Sequence, residues 1–127
     1  MHHFPVRIYY EDTDHSGRVY HANYLKYFER AREHVLGAEE LVRLYREEGY
    51  GFVVYKVEMS FREGAIFGDE LDIRSEVRRE SDWRIRFLQN VWRPGGTQAA
   101  VEGIVELVCV DRDHRLVKLP ERIRSRF

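Results

Sequence analysis

Apolar positions recur every three to four residues in one early segment of the chain and at every second position in most of the rest. The helical spacing covers residues 24–35, and Gly37 is well placed to end that helix. Its apolar positions are Tyr24, Phe28, Ala31 and Val35, with Leu25 and Tyr27 beside them. A shorter helix is predicted over residues 38–48, before the break at 49–51. The pattern therefore predicts one principal helix followed by a shorter one.

Alternation of apolar and polar residues dominates after residue 51 and predicts strands joined by tight turns. The predicted strands cover residues 6–10, 52–62, 69–79, 83–92 and 98–110. Residues 116–127 look like a strand end and a loose tail. The predicted order is a strand, two helices and a meander of four strands, which is an α+β arrangement. In such an arrangement the sheet must bury one face against the main helix. Because its long edge strands would stay open, we expect an oligomer.

Composition narrows the class of protein. The chain has 127 residues, of which 43% are hydrophobic and 34% charged, so we predict one globular domain over residues 1–127. A net charge of −1 argues against a nucleic-acid surface, which needs a basic face. Cys109 is the only cysteine, which excludes a disulfide within the chain. No apolar stretch has membrane-spanning length and residues 1–5 do not resemble a signal peptide, so we expect a cytoplasmic protein.

Acidic and imidazole side chains are concentrated in residues 10–24, between the first predicted strand and the main helix. The amino end of a helix offers unpaired N–H groups and favours negative charge. Asp14 and His21 flank a glycine turn at this end, and a carboxylate with an imidazole there suits hydrolysis. Taken singly, Asp12, Thr13 and Ser16 are better explained as turn and capping residues.

Two metal sites compete with this interpretation. The acidic residues have the spacing of a calcium loop, but its twelfth position is Asn23 instead of a bidentate glutamate, so we reject calcium. A zinc site would recruit Asp12, Asp14, His15 and His21, and the two histidines lack the one-turn spacing of hydrolytic zinc sites. Zinc stays a minor alternative.

The pattern Tyr-x-Asp-Thr-Asp-x-x-Gly-x-Val-x-His-x-x-Tyr over residues 10–24 resembles that of the hotdog-fold acyl-CoA thioesterases. Within them it is most similar to the YbgC-type branch associated with the Tol-Pal system, which is related to 4-hydroxybenzoyl-CoA thioesterase. The resemblance extends through residues 24–32, 52–54 and 68–71. It implies a curved, five-stranded antiparallel sheet wrapped around one long helix. The Pro-Ala pair common in the family is Gly64-Ala65 here, which bears on acyl-chain preference.

The same resemblance implies roles for individual residues. Asp14 would be the catalytic carboxylate, either as nucleophile or as general base, and the sequence leaves both routes open. Backbone N–H groups around Tyr20 to Ala22 would form the oxyanion hole. His21 would protonate the leaving thiolate, orient water or hold Asp14, while a purely structural role in a dimer interface is its alternative.

Substrate-binding candidates come from the same segment and from the strand after it. They are Tyr20, Ala22, Tyr24, Glu29 and Arg62. Glu29 is equally explained as charged helix surface, and Arg62 as one half of a cross-strand ion pair.

The implied reaction is hydrolysis of an acyl-CoA, with a short or medium aliphatic acyl group, to the free acid and coenzyme A. Coenzyme A is part of the substrate, and no cofactor or metal is expected because no phosphate-binding glycine loop or dinucleotide fingerprint is present. The expected assembly is a homodimer or homotetramer. The alternative function is a non-hydrolytic hotdog protein that binds acyl carrier protein or acts as an adaptor. A hotdog dehydratase would need a different histidine motif on the helix.

Overall fold

A computed structural model describes all 127 residues and confirms the predicted α+β fold. Its elements are β1 (His2–Arg7), a 3₁₀ turn (Tyr10–Asp12), α1 (Asn23–Leu36), α2 (Ala38–Glu48), β2 (Gly51–Phe61), β3 (Glu70–Arg79), β4 (Arg84–Trp92), β5 (Val101–Val110), β6 (Leu116–Val117) and α3 (Glu121–Arg124). The strands form one antiparallel sheet in the order β1-β3-β4-β5-β2, and the short β6 pairs with the end of β5. No helix combines the length and the apolar character that crossing a membrane requires.

Helix α1 lies with its apolar side on the inner face of the sheet, as its spacing predicts. Phe28 and Ala31 are completely buried, and they belong to one core cluster with Ile73 and Phe87 of the strands. Beneath the helix, a Cβ atom at Gly103 would lie 2.5 Å from Cε2 of Phe28. Glycine at this position therefore lets the helix approach β5 closely. Burying a side chain of this size contributes about 1.5–3 kcal/mol to folding.

One polar cluster is buried beneath α1. The side-chain amide nitrogen of Gln89 donates to Ser75 Oγ (2.9 Å) and to the backbone carbonyl of Phe28 (3.1 Å). The side-chain oxygen of Gln89 accepts from Nη1 of Arg32 at 3.0 Å. Buried polar groups need such partners. This cluster therefore fixes α1 over β3 and β4, and it explains the serine in the alternating apolar face of β3.

The first strand was predicted too late in the chain. Strand β1 covers His2–Arg7, and Tyr10 lies in the 3₁₀ turn that follows it. The carboxylate of Asp12 holds this turn, because Oδ2 accepts the Tyr9 N–H (2.7 Å) and Oδ1 accepts the Tyr27 hydroxyl (2.8 Å). Asp12 is therefore a structural residue, as its turn chemistry suggested. The start of strand β5 was instead predicted too early, because the strand begins at Val101, three residues after the predicted start.

The prediction of a loose C-terminal tail is wrong. Leu119 and Ile123 are buried and belong to the core cluster. The guanidinium of Arg126 donates to the carbonyls of Val35 (2.7 Å) and Leu36 (3.1 Å) at the end of α1. The final segment thus covers the core and satisfies carbonyl groups that a helix end leaves unpaired.

The two edges of the sheet differ. Strand β1 forms one edge and carries Pro5, which cannot donate a hydrogen bond to a further strand. Strand β2 forms the other edge over eleven residues without proline. It exposes several large apolar side chains, namely Val53, Val54, Tyr55, Val57 and Phe61. An open edge of this length and composition favours pairing with a further strand.

Candidate active site

The loop between β1 and α1 folds back on itself as a small hairpin. Thr13 pairs with Val19, and the turn between them is closed at Gly17, whose φ of 80° is favoured by glycine. The hairpin is tied to the β2–β3 connection, because the amide of Val19 donates to the carbonyl of Ala65 at 2.9 Å. These bonds fix the acidic turn beside the end of β2.

Asp14 is held at one oxygen of its carboxylate. Oδ1 accepts from both the amide (2.8 Å) and the hydroxyl (2.5 Å) of Ser16. These two hydrogen bonds hold the pKa of Asp14 below its usual value, and the bond from the Ser16 hydroxyl has the larger effect. The nearby His21 and His15 also lower this pKa. The carboxylate is exposed and charged at neutral pH. Its second oxygen forms no hydrogen bond within the chain and is available to react.

A cavity of about 270 Å³ opens beside this carboxylate. It contains four of the predicted site residues, which are Asp14, His21, Tyr24 and Arg62. Residues from the hairpin, from the first turns of α1 and from the end of β2 thus meet at one place, although they are far apart in the sequence.

The imidazole of His21 lies between two aromatic rings. Its ring centre is 4.7 Å from that of Tyr20 and 6.2 Å from that of Phe61. No hydrogen bond within the chain engages its nitrogens. The ring is therefore positioned by packing, and both nitrogens are free to bind a substrate, water or a proton.

The backbone donors at the start of α1 are fewer than predicted. The Tyr20 amide donates to the carbonyl of Asp12 at 2.9 Å, so it is not free for an oxyanion. The amides of His21 and Ala22 form no hydrogen bond within the chain, and no side chain caps the helix. Two N–H groups at the amino end of α1 are therefore unpaired, and the helix dipole there favours a developing negative charge.

Tyr24 and Arg62 both reach the cavity but have partners of their own. The Tyr24 hydroxyl accepts the amide of Ala65 at 3.2 Å, and burial raises the pKa of this phenol. Tyr24 thereby holds the turn that follows β2. Arg62 forms an ion pair with Glu102 at 3.2 Å, and both side chains are about half exposed. An ion pair was the expected alternative for Arg62, but its partner lies on β5 and is not one of the expected partners Glu58, Glu63, Glu76 and Glu80.

Glu29 lies in a different cavity from Asp14. It is exposed on α1 and lines a space of about 360 Å³ between α1, α2 and the start of β2. Within one protomer the structure therefore separates Glu29 from the other candidate residues.

Two side chains of the cavity were not singled out by sequence reasoning. Arg18 and Phe61 line it, and Gly64 makes room for Arg18, because a Cβ at Gly64 would lie 2.7 Å from Cδ of Arg18. Such contacts join segments more than 40 residues apart, and no local pattern marks them. Ser16 was assigned only a turn role, but a hydroxyl two residues after an aspartate is the local signal for the observed hydrogen bonds.

No group of three or more histidine, cysteine, aspartate or glutamate side chains is gathered so that it could hold a metal ion. Asp12, Asp14, His15 and His21 thus do not converge as the zinc alternative would require.

Comparison with known proteins shows the family. Residues 9–127 match the model of the thioesterase-like superfamily. The chain is 35% identical to the acyl-CoA thioesterase YbgC of Haemophilus influenzae, over 98% of this chain and 92% of the relative. It is 36% identical to the acyl-CoA thioester hydrolase YbgC of Escherichia coli, over 85% of this chain and 81% of the relative. The chain belongs to the thioesterase-like superfamily, and the predicted resemblance to its YbgC-type branch is confirmed.

A solved structure gives the same result for the fold. A probable thioesterase from Bartonella henselae superimposes with a TM-score of 0.85 at 31% identity, covering 94% of this chain and 98% of that protein. The hotdog fold predicted from the motif is therefore confirmed, and the chain is a thioester hydrolase by class.

Proposed function

We propose that this protein hydrolyses acyl-CoA thioesters to the free acid and coenzyme A at the Asp14 cavity. One observation carries the proposal: Asp14, whose Oδ2 has no hydrogen-bond partner, and His21, whose amide at the start of α1 is unpaired, line the same cavity. Thioester hydrolysis needs a carboxylate that attacks or activates water, and donors for the oxyanion formed on the carbonyl oxygen.

Two routes use these groups. In the first, Asp14 Oδ2 bonds to the thioester carbon, the C–S bond breaks, and the thiolate leaves with the sulfur electron pair; water then cleaves the mixed anhydride. In the second, Asp14 takes a proton from a water molecule whose oxygen attacks the carbon directly, and the C–S bond breaks as before. In both routes the thiolate gains a proton, the acyl group leaves as a carboxylate, and Asp14 is regenerated.

His21 is proposed to supply the proton to the leaving thiolate. Its ring lines the cavity and its nitrogens have no partner in the chain, and imidazole exchanges protons near neutral pH. Arg18 and Arg62 on the cavity wall are proposed to attract the phosphates of coenzyme A. The acyl group is proposed to be short or medium and aliphatic, in keeping with the resemblance to the YbgC-type branch.

The protein is further proposed to work as a homodimer, alone or within a tetramer, paired through β2. This edge is long, apolar and free of proline. Phe61 at its end also lines the Asp14 cavity, so a second copy on β2 would adjoin that cavity. The proposed reaction needs water but no cofactor, and the cytoplasm remains the expected location.

The test is thiol release from acetyl-, butyryl-, hexanoyl-, decanoyl- and benzoyl-CoA by the purified protein. We expect turnover, with an aliphatic ester preferred over the benzoyl ester. A preference for benzoyl-CoA would overturn the aliphatic assignment but leave the hydrolase. No turnover of any ester by folded, oligomeric protein would overturn hydrolysis of acyl-CoA and favour acyl carrier protein as the partner.

A further inference from the structure

The turn between β2 and β3 is held by a carboxylate that the proposed reaction does not use. Asp69 lies directly before β3, and only 13% of its side chain is exposed. Its Oδ2 accepts the amide of Ile66 at 3.1 Å and Nε of Arg93 at 2.8 Å. A largely buried carboxylate needs a counterion and hydrogen bonds, and Arg93, which follows β4, supplies the counterion.

A short series of contacts leads from this carboxylate to the backbone of Asp14. Asp69 binds the amide of Ile66, and Ile66 pairs with Arg18 of the hairpin. The carbonyl of Arg18 accepts the amide of Asp14 itself at 2.9 Å. Three successive contacts therefore connect the Asp69 side chain with the residue proposed to act on the thioester.

Ala65, the neighbour of Ile66, connects the same turn to α1. Its carbonyl accepts the amide of Val19 in the hairpin at 2.9 Å, and its amide donates to the hydroxyl of Tyr24 in α1 at 3.2 Å. Ala65 is completely buried, so water does not compete for these bonds. The turn thus binds the hairpin on one side and the first turn of α1 on the other. The placement of Asp14 relative to the amino end of α1 therefore depends on this turn.

We infer that Asp69 and Arg93 are positioning residues for hydrolysis, because they hold the turn that sets Asp14 against the amino end of α1. The inference rests on the proposed function of the Asp14 cavity. Neither residue lines that cavity, so both act through the turn and not on the substrate. Attack on a carbonyl requires close alignment, and a misplacement of about 1 Å can cost on the order of 100-fold in rate. Loss of the Asp69 carboxylate should therefore lower kcat and leave KM nearly unchanged.

The first measurement is thiol release by Asp69→Ala and Asp69→Asn. Alanine removes the acceptor of the Ile66 amide, whereas the side-chain oxygen of asparagine can still accept it. We expect kcat to fall at least about tenfold in Asp69→Ala, with KM within about twofold of the wild type. Asp69→Asn should recover most of the lost kcat.

Two controls separate positioning from a general loss of stability. Asp82→Ala removes a carboxylate that forms an ion pair at the β3–β4 turn, and it should leave kcat unchanged. Ile123→Ala weakens the core outside the cavity, so it should lower stability but not the kcat of the folded protein. The pKa of Asp14 should stay low in Asp69→Ala, because the Ser16 bonds that lower it lie within the hairpin. A lower kcat at an unchanged pKa is the signature of displacement.

Amide hydrogen exchange tests the positioning without any substrate. The amides of Val19 and Ala65, which bind the turn to the hairpin and to α1, should exchange at least about tenfold faster in Asp69→Ala. Their exchange should be unaltered in Asp82→Ala. If Asp69→Ala does not fold, Arg93→Ala is measured instead, since it removes the counterion but keeps the Ile66 bond, and it should change both kcat and exchange in the same directions.

The outcomes distinguish this inference from the proposed function. Unchanged kcat or unchanged exchange in the folded variant, with full turnover by the wild type, would overturn the inference alone. A fall in kcat that Asp69→Asn does not recover would also contradict it, because the hydrogen bond to Ile66 would not be its cause. No turnover by the wild type would overturn the proposed function and, with it, the role of this pair in hydrolysis.

Discussion

Ser16 binds Asp14 at one oxygen only: its amide and its hydroxyl both donate to Oδ1, at 2.8 and 2.5 Å, and Oδ2 is left free. Two donors on one oxygen fix the orientation of the carboxylate and favour its charged form. A short turn of four residues thereby leaves one oxygen of Asp14 unbonded in the cavity that His21 also lines.

Removal of the Ser16 hydroxyl is expected to raise the pKa of Asp14 towards its usual value. The side-chain hydrogen bond is the largest cause of the lowered pKa, and its loss destabilises the charged form relative to the protonated one. The pKa of the Asp14 carboxyl, followed by its NMR chemical shift during an acid titration, should increase in Ser16→Ala. Ser81→Ala, which alters the β3–β4 turn, is the control and should leave it unchanged. An unaltered pKa in Ser16→Ala would show that the hydroxyl does not hold the carboxylate.

Gly64→Ala is expected to destabilise the protein through Arg18. The added Cβ would meet the Arg18 stem at 2.7 Å, so that side chain must leave its place on the cavity wall. Thermal unfolding of Gly64→Ala, Arg18→Ala and the double variant forms a cycle. We expect Gly64→Ala to cost less in the Arg18→Ala background, with a coupling of about 0.5–3 kcal/mol. Strict additivity would mean that the two residues do not compete for space.

A charge on the open edge of the sheet is expected to prevent dimerisation. Val57 lies near the middle of β2, and its side chain is 38% exposed. Lysine there should stop the pairing of two β2 edges, as edge charges do in natural sheets. Sedimentation equilibrium should then report a monomer. Leu116→Lys places the same charge on an equally apolar but remote side chain, and it should leave the oligomer intact. An intact oligomer in Val57→Lys would place the interface elsewhere.

Truncation of Ile123 is expected to destabilise the fold strongly. The side chain is completely buried in the core cluster, and Ile123→Ala should lower the free energy of unfolding by about 2–5 kcal/mol. Denaturant unfolding measures this loss. Glu121→Ala, an exposed change in the same short helix, should shift the stability by no more than about 0.5 kcal/mol. Similar stabilities for the two variants would contradict the docking of α3.

The sequence was sufficient for the features that depend on local periodicity. The apolar spacing of residues 24–35 gave α1, and Gly37 ends it with a φ of 94°. Alternation gave β3 with Ser75 on its inner face, although the partner Gln89 lies 14 residues away and was not predicted. The motif of residues 10–24 gave the family and the position of the candidate site, because its residue types sit at fixed spacings.

The remaining features depend on contacts between distant segments. The buried side chain of Arg32 is bound by Gln89, which lies 57 residues away. The helical pattern alone therefore does not predict that Arg32 faces the sheet. The α3 segment has little apolar periodicity of its own, yet Ile123 is held by the core. The separation of Glu29 from Asp14 follows from the path of α1 over the sheet, which residue spacing does not define.

The most direct test of the account compares the rate of thiol release by Asp14→Asn with that of the wild type, at saturating acyl-CoA. Asparagine keeps the shape of the side chain but removes the charge that attacks or activates water, so we expect a loss of at least about 100-fold. The folded, oligomeric state and substrate binding should be unchanged, and Asp82→Asn, on the β3–β4 turn, should retain full activity. A turnover number for Asp14→Asn equal to that of the wild type would contradict the assignment of Asp14 as the catalytic carboxylate.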